Sequence, residues 1–357
     1  MALADRALVV GINRYPGISM LSGAENDAHE FHRWVIDPAG AGVDPTRALL
    51  ILSSAFNAPI GVDDAQPAKE MVERFFTDVD NAAEANNAAG IGLKAGRRLW
   101  LFFSGHGFAP SLDRSGVLMA NATTNKVHNI AAMMWADRLS EGGWFDEIVL
   151  FQDACRARIT EADLTPPFLR RRQAPNSQTR RRFYAFSAKD KKLSKELPFP
   201  PPNGTIHGVF TLTLLQGLRD ARDAATGAVT ATQLKQYLQS NMRSLLPQAD
   251  LQDDDIAKMP EVYDPDPFDI VPAAQAPAAV SIFPVQITPS RPGGAGRVFG
   301  ANLVDVVATE NPSPAAWKLR LPRGIYKAVV DGVGEKLFEV TGALMPDGNT
   351  SEINVTV

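Results

Sequence analysis

The sequence contains a single cysteine, Cys155, among its 357 residues. One thiol cannot form a disulfide within the chain and excludes a cysteine-rich metal site, so we expect a reducing, cytoplasmic location. Long apolar runs are missing too. The run from Ala7 to Ile12 is far shorter than the roughly 20 residues that cross a bilayer, and the first residues lack the charge pattern of a signal peptide. We therefore expect no membrane association.

A strong excess of one charge sign is also lacking, since the net charge is −4. This balance excludes a chain built wholly to bind nucleic acid. Basic residues are nevertheless concentrated between Arg170 and Lys195, a segment with ten of them and one acid, Asp190. The arginines at 170–172 and 180–182 have no aromatic residues between them and match no known nucleic-acid-binding motif. We do not expect nucleic acid as a partner.

Apolar segments of strand length alternate with helical patterns over most of the chain. The strand-like runs lie at 6–11, 48–52, 99–103, 148–151 and 183–186. Between the first two, Phe31, Trp34 and Val35 form the apolar stripe of a helix. This alternation predicts an α/β domain at residues 1–265, with an open, mostly parallel sheet flanked by helices.

The composition changes after this domain. Residues 266–280 are rich in proline and alanine without helical or strand periodicity, which is typical of a linker. From residue 281 onward, short alternating segments are separated by glycine, proline and asparagine. This spacing predicts a small, all-β, sandwich-like domain at residues 281–357.

Two of the predicted strands end in reactive residues. The run at 99–103 leads to His106, and the run at 148–151 leads to Cys155. Because the carboxyl ends of parallel strands meet at one edge of a sheet, we expect both side chains in one crevice. An imidazole beside a thiol can act as the base for a nucleophilic cysteine, and the N–H groups of Gly107 and Cys155 are the donors we expect for an oxyanion.

A structural interpretation of the same two residues is that Cys155 is a small buried apolar residue and His106 a histidine whose hydrogen bonds are satisfied within the fold. The position of both residues at strand ends favours the catalytic interpretation. This chemistry needs neither a metal nor a cofactor, so we expect none.

The motifs Ser104-Gly105-His106-Gly107 and Asp153-Ala154-Cys155-Arg156 resemble those of caspase-type cysteine peptidases, in which the histidine lies about 50 residues before the cysteine. Residues 21–28 are similar to the helix entry of metacaspases and bacterial caspase homologues. Residues 186–188 and 194–196 resemble their fifth strand and the loop lining the substrate groove. The resemblance implies a caspase-like sheet of six strands, with His106 as general base and Cys155 as nucleophile.

The resemblance also bears on specificity. Caspases hold a substrate aspartate with a glutamine two residues before the cysteine, and that position is Asp153 here. Asp27 falls where metacaspases have an acid in the pocket for the residue before the cut, the P1 residue. Two carboxylates attract a cation, so the resemblance implies cleavage after Arg or Lys. The alternative is that Asp27 is a helix-start acid and Asp153 a strand-end cap.

The sequence departs from the family pattern in two respects. Ala157 stands where caspases have a glycine, which affects the turn after the nucleophile. No acidic cluster matches the calcium site of metacaspases, since the spacing of Glu161 and Asp163 differs. A calcium requirement is therefore not expected.

The arginine clusters lie where caspases carry the linker that is cut on activation. We therefore expect a zymogen activated by cleavage in the loop 160–182, with Arg172 and Arg182 as candidate sites for autocleavage or for an activating protease. The predicted function is a cysteine endopeptidase acting on proteins in a regulated proteolytic or antiviral defence pathway. The alternatives are a catalytically silent, partner-binding regulator with a caspase fold, and a peptidase specific for Asp.

Overall fold

The computed structural model describes residues 4–111, 114–173, 180–201, 204–223, 225–263, 266–273, 282–300, 306–311, 315–322, 324–340 and 353–357. The chain divides into two compact units. The first is formed by Met1–Glu196 with Ile206–Ala273, and the second by Leu197–Thr205 with Ala274–Val357. The first unit thus includes 266–273, which the sequence assigns to the linker, and residues 274–280 of that linker lie outside the described residues.

Helices and strands alternate in the chain up to residue 271. The helices are α1 (Ala24–Ile36), α2 (Lys69–Ala88), α3 (Ala132–Gly142), α4 (Val209–Asp220), α5 (Ala231–Asn241) and α6 (Gln248–Gln252). The strands are β1 (Arg6–Gly11), β2 (Ala48–Leu52), β3 (Arg98–Ser104), β4 (Gly107–Ser111), β5 (Arg114–Leu118), β6 (Asn129–Ile130), β7 (Glu147–Asp153), β8 (Ala157–Arg158), β9 (Arg181–Phe186), β10 (Glu196–Phe199), β11 (Thr205–Gly208), β12 (Val229–Thr230), β13 (Glu261–Val262) and β14 (Asp269–Val271). In the described ranges, no helix combines the length and the apolar character needed to cross a membrane.

A six-stranded sheet forms the centre of the first unit, in the order β13-β9-β7-β3-β1-β2. The strands from β9 to β2 pair in parallel, and β13 pairs with β9 antiparallel. Ser104 at the end of β3 lies opposite both Gly11 and Asp153, the last residues of β1 and β7. The carboxyl ends of the central strands therefore meet at one edge of the sheet.

Helices cover both faces of this sheet because the side chains of each buried strand alternate between the two faces. On one face, Phe102 of β3 stacks on Phe31 of α1, with ring centroids 4.5 Å apart. On the other face, Phe103 belongs to a core that includes Phe76 of α2 and Trp135 of α3, whose rings stack at 4.0 Å. The predicted α/β class, with an open, mostly parallel sheet flanked by helices, is confirmed.

The predicted strand at 183–186 begins two residues earlier, at Arg181. Arg181 lies opposite Glu147 of β7 and Arg182 opposite Ile148. The end of the predicted activation loop 160–182 is therefore part of the central sheet, because the parallel pairing with β7 continues through these arginines.

The second unit contains two sheets that share one apolar core. Its strands are β15 (Ile282–Thr288), β16 (Gly296–Phe299), β17 (Val306–Glu310), β18 (Trp317–Pro322), β19 (Gly324–Val330), β20 (Gly334–Val340) and β21 (Ile353–Thr356). They pair in the orders β18-β15-β21 and β17-β16-β19-β20. Val285 and Trp317 of the first sheet contribute to the same core as Val298 and Phe338 of the second. The predicted all-β, sandwich-like character of this region is confirmed.

Candidate active site

His106 and Cys155 follow neighbouring parallel strands. His106 lies between β3 and β4, and Cys155 lies between β7 and β8. The two segments run side by side, since the N–H of Gly105 donates to the carbonyl of Asp153 at 3.2 Å and β4 pairs with β8 in parallel. The sheet therefore brings the predicted base and the predicted nucleophile to the same edge.

The backbone of His106 is held by the hydroxyl of Tyr15, a fully buried side chain. The N–H of His106 donates to this hydroxyl at 3.0 Å, and the hydroxyl donates to the carbonyl of Leu118 at 3.3 Å. The N–H of Leu118 donates back to the carbonyl of His106 at 2.8 Å. The Tyr15 ring also meets the imidazole edge to face, with centroids 4.8 Å apart. Tyr15 thus fixes both the backbone and the ring of His106.

The carbonyl of Ser19 determines which imidazole nitrogen carries the proton. Nε2 of His106 lies 2.7 Å from this carbonyl and 3.3 Å from the Ser19 hydroxyl. A carbonyl oxygen only accepts, so Nε2 donates and Nδ1 of the neutral ring is left as the base. Burial lowers the pKa of His106, and the bond to Ser19 raises it in part. The ring is therefore neutral and able to accept a proton at neutral pH.

The Cys155 thiol is only partly exposed and lies beneath the segment 189–196. Its Sγ donates to the carbonyl of Ser194 over 3.9 Å. The next residue, Arg156, exchanges backbone hydrogen bonds of 3.0 Å with Lys192 and Lys191. Burial raises the pKa of the Cys155 thiol, and the negative charges of nearby acids raise it further. The resting thiol is therefore protonated.

Gly107 lies against the backbone of the nucleophile turn. A Cβ at this position would be 2.6 Å from the carbonyl oxygen of Cys155 and 2.8 Å from Cβ of Ala154. Only glycine allows the two segments to approach this closely. The space where this Cβ would lie is filled by the neighbouring segment 154–155.

Asp27 lies in the first turn of α1 and is completely buried. Its Oδ1 lies 3.1 Å from Nδ1 of His207 and accepts from the N–H of Gly208 at 3.0 Å. Its Oδ2 accepts from the hydroxyl of Ser104 at 3.1 Å. Burial raises the pKa of Asp27 to about 7, and the charge of Asp153 adds to the increase, while the hydrogen bonds to His207 and Gly208 oppose it.

Asp153 is the last residue of β7 and is 5% exposed. It accepts from the hydroxyl of Ser194 at 2.6 Å, and from the N–H and hydroxyl of Thr211 at 3.1 and 2.7 Å. A Cβ at Gly208 would lie 2.1 Å from Oδ2 of Asp153 and 2.9 Å from Oδ2 of Asp27. The structure therefore brings the two predicted pocket carboxylates together at the position that a Cβ of Gly208 would occupy.

A third carboxylate, Glu196, lies close to this pair. It accepts from the N–H of Ser22 at 3.3 Å, just before α1 begins, and burial raises its pKa. Its charge, like that of Asp153, raises the pKa of the Cys155 thiol. The structure thus places three acids at the site, whereas the sequence predicts two.

The two predicted processing residues have different surroundings. Arg172 lies in a segment without strand or helix, where it pairs with Glu84 at 2.7 Å and covers the Trp144 ring. Arg182 lies within β9 and pairs with Asp137 at 3.3 Å. Residues 174–179 of the predicted loop lie outside the described residues.

Sequence reasoning missed the roles of Ser19, Glu196 and Gly208. Ser19 acts through its backbone carbonyl, which leaves no signature in residue types. Glu196 is within the groove-loop motif at 194–196, so the motif gave its position but not its contact with α1. Gly208 precedes an apolar helix, and its importance comes from a close approach that only the folded chain creates.

A thiol and a neutral imidazole at adjacent ends of parallel strands form the type of site found in cysteine hydrolases. The family model named "Caspase domain" matches residues 4–268, and the chain belongs to this family of cysteine peptidases. A curated relative, Metacaspase-7 of Arabidopsis thaliana, is 28% identical over 106 residues. That alignment covers 29% of this chain and 22% of the relative's length, about a fifth.

Two solved structures are also similar. Caspase-1 of Spodoptera frugiperda is 14% identical with a TM-score of 0.45, over 74% of this chain and 88% of its own. A protein from Geobacter sulfurreducens is 13% identical with a TM-score of 0.42, over 73% of this chain and 92% of its own.

Proposed function

We propose that this protein is a cysteine endopeptidase that cleaves proteins after Arg or Lys, with Cys155 as nucleophile and His106 as base. The observation that carries the proposal is the pair of buried carboxylates, Asp27 and Asp153, that meet where a Cβ of Gly208 would lie. Asp153 is two residues from the nucleophile. Buried anions are costly unless a cation compensates them, so a substrate guanidinium or ammonium fits this pocket.

In the first step, the thiol proton moves from Sγ of Cys155 to Nδ1 of His106 as Sγ attacks the peptide carbonyl. The neutral starting pair is supported by the raised pKa of Cys155 and the lowered pKa of His106. The imidazolium then protonates the leaving amine as the C–N bond breaks. Water hydrolyses the resulting thioester, with His106 again taking a proton, and restores the thiol.

The oxyanion of the tetrahedral intermediate needs backbone donors. The N–H of Leu118 donates directly to the carbonyl of His106, and the N–H of His106 reaches the carbonyl of Leu118 through the Tyr15 hydroxyl. The next pair across the two strands, Gly107 and Val117, is in register. Hydrogen-bonded and non-hydrogen-bonded pairs alternate in an antiparallel ladder, so the N–H of Gly107 points away from β5. This supports Gly107, with the N–H of Cys155, as the oxyanion hole.

Substrate entry requires the segment 189–196 to move. The Ser194 hydroxyl occupies one oxygen of Asp153, and the Ser194 carbonyl contacts the thiol. A P1 guanidinium would replace the hydroxyl and pair with the carboxylate. This covered arrangement supports the proposal that the protein is a zymogen.

Activation by cleavage fits the segment 170–172 better than Arg182. A peptidase must draw its substrate into an extended form in its own cleft, and Arg182 is paired within the central sheet. Its N–H also donates to Asp266 at 2.8 Å. We therefore propose Arg172 as the site of processing, by this protein or by another protease.

Fluorogenic peptides that differ only in P1 test the specificity. We expect hydrolysis after Arg and Lys at least about 100-fold faster than after Asp or Gln, a difference of about 2.7 kcal/mol. Asp153→Asn should remove most of this preference, and Cys155→Ala should abolish hydrolysis. Preferential cleavage after Asp would identify an Asp-specific peptidase instead. No hydrolysis, even by protein cut at 170–172, would favour the silent regulator.

Processing is tested separately by mass-spectrometric mapping of fragments from wild type and Cys155→Ala. Replacing Arg170, Arg171 and Arg172 by glutamine should prevent activation, whereas Arg182→Gln should leave the cut in place. An unchanged fragment pattern in the triple variant would contradict processing at this segment.

A further inference from the structure

A cavity of about 180 Å³ lies between α3, β5 and the segment 164–171, outside the candidate active site. Three arginines line it: Arg114 from β5, Arg138 from α3 and Arg171 from the segment. In the described part of the chain, the side chains of Arg114 and Arg171 form no hydrogen bond or ion pair. Their guanidinium groups are therefore available to a ligand that enters the cavity.

The two acids of the cavity wall do not neutralise these arginines. Asp137 accepts from the hydroxyl of Tyr184 at 3.1 Å and pairs with Arg182 at 3.3 Å. Glu141 interacts with the charge of Arg180, which also donates to the carbonyl of Glu141 at 2.6 Å. Both acids are thus balanced by arginines outside the lining. The cavity retains a net positive charge, which favours an anionic ligand.

Apart from Ser115 of β5, the remaining wall is apolar. Met133 and Met134 of α3 and Leu164 of the segment line it. Carboxylate and phosphate groups pair well with guanidinium groups, and methionine adapts to small apolar bodies. The lining therefore suits a small organic molecule with two anionic groups and a short hydrocarbon body.

The cavity lies beside the segment in which we propose processing. That segment rests on α3, because Arg138 donates to the carbonyl of Leu169 and Phe168 packs edge to face on Trp135 at 5.1 Å. A dianion that joins Arg171 to Arg114 and Arg138 would add a further attachment between the segment and the body of the domain.

We infer that this cavity binds a small organic dianion and that binding holds the segment 164–172 in place, which slows cleavage at Arg172. The binding itself is independent of catalysis, while the effect on activation rests on the proposed function. The full-length Cys155→Ala protein separates the two, because it cannot process itself.

The experiment measures binding of citrate and of phthalate to Cys155→Ala protein by calorimetry at physiological ionic strength. We expect saturable binding that Arg114→Gln or Arg171→Gln weakens about tenfold. Arg170→Gln is the matched control, because this neighbouring exposed arginine does not line the cavity, and it should bind as the parent does. Trypsin should cut the segment 170–173 about tenfold more slowly with saturating citrate, and this protection should disappear in Arg114→Gln.

Absence of saturable binding for both probes would overturn the inference, as would equal weakening by Arg170→Gln. Equal protection by sodium chloride at the same ionic strength would also overturn it, since it would reveal general screening of charge. If citrate binds and protects as expected but the wild-type protein hydrolyses no peptide, the proposed function fails while the cavity remains a ligand site.

Discussion

The Oδ2 oxygen of Asp153 lies 2.1 Å from the position that a Cβ at Gly208 would occupy. The Cβ would also be 2.9 Å from Oδ2 of Asp27. Gly208 has ordinary extended backbone angles, so crowding rather than a special φ requires glycine here.

Gly208→Ala should therefore displace both pocket carboxylates. We expect kcat/KM for an Arg substrate to fall about 100-fold and the free energy of unfolding to fall by about 1–3 kcal/mol, as for other overpacked sites. Urea unfolding and peptide hydrolysis measure these effects. Gly61→Ala is the control, because its Cβ meets only one atom, at 3.9 Å. Full activity in Gly208→Ala would contradict the assignment of this pocket.

The Cys155 thiol should titrate above its ordinary range. Burial raises its pKa, the Ser194 contact lowers it in part, and the charges of Asp153 and Glu196 raise it again. The rate of alkylation by iodoacetamide should keep rising up to at least about pH 8.5. A plateau reached below neutral pH would instead indicate a preformed thiolate–imidazolium pair.

A bound cation should lower this thiol pKa, because it offsets the nearby carboxylates. Benzamidine is predicted to bind at Asp153 and to accelerate alkylation of Cys155 severalfold at neutral pH. The neutral isostere benzamide is the control and should have no effect. If benzamidine instead slows the alkylation of Cys155, a P1 cation does not activate the nucleophile.

Asp27 should make stability depend on pH. Its pKa is about 7 in the folded protein, where burial favours the protonated form, and is near its ordinary value when unfolded. Between these two values the folded state holds more protons, so the free energy of unfolding should fall as pH rises towards about 7. One such group contributes a slope of at most about 1.4 kcal/mol per pH unit. The Asp27→Asn variant keeps an oxygen acceptor but should lose this part of the pH slope when its free energy of unfolding is measured in urea. An identical slope in the variant and the wild type would refute the assignment of the slope to Asp27.

Glu261 should position the nucleophile turn through Arg156. The Arg156 side chain is 1% exposed, pairs with Glu261 of β13 and lies over the Phe186 ring at 5.3 Å. Glu261→Gln should lower the free energy of unfolding by about 1–3 kcal/mol, since it removes an anionic partner of the buried Arg156 guanidinium. We expect kcat to fall while KM stays constant.

The exposed helical pair of Glu30 and Arg33 provides the control for this substitution. Glu30→Gln should change stability by less than about 0.5 kcal/mol and leave kcat unaltered. A fall in kcat that disappears once the rate is divided by the folded fraction of Glu261→Gln would indicate a general loss of folding instead of a positioning role.

Local apolar patterns in the sequence predict most strands of the central sheet. The strands β1, β2, β3, β7 and β9 coincide with apolar runs because buried parallel strands are apolar on both faces. The limit of this signal is visible at β9, which begins with Arg181 and Arg182. Arginines do not indicate a buried strand. These two belong to β9 because they pair with β7 and have partners such as Glu147, which lies 2.7 Å from Arg181.

Residue types alone place His106 and Cys155 after two strands, in order and at a family-like spacing, and they identify Asp27 and Asp153 as candidates for a substrate-binding pocket. Only the folded chain sets the protonation states and the contacts of these groups. The Ser19 carbonyl selects the imidazole tautomer, and Gly208, 181 residues from Asp27, lets the carboxylates of Asp27 and Asp153 come together. Residue types show which chemical groups are present. The positions of protons and the pairing of charges depend instead on distances of a few ångströms between segments that lie far apart in the chain.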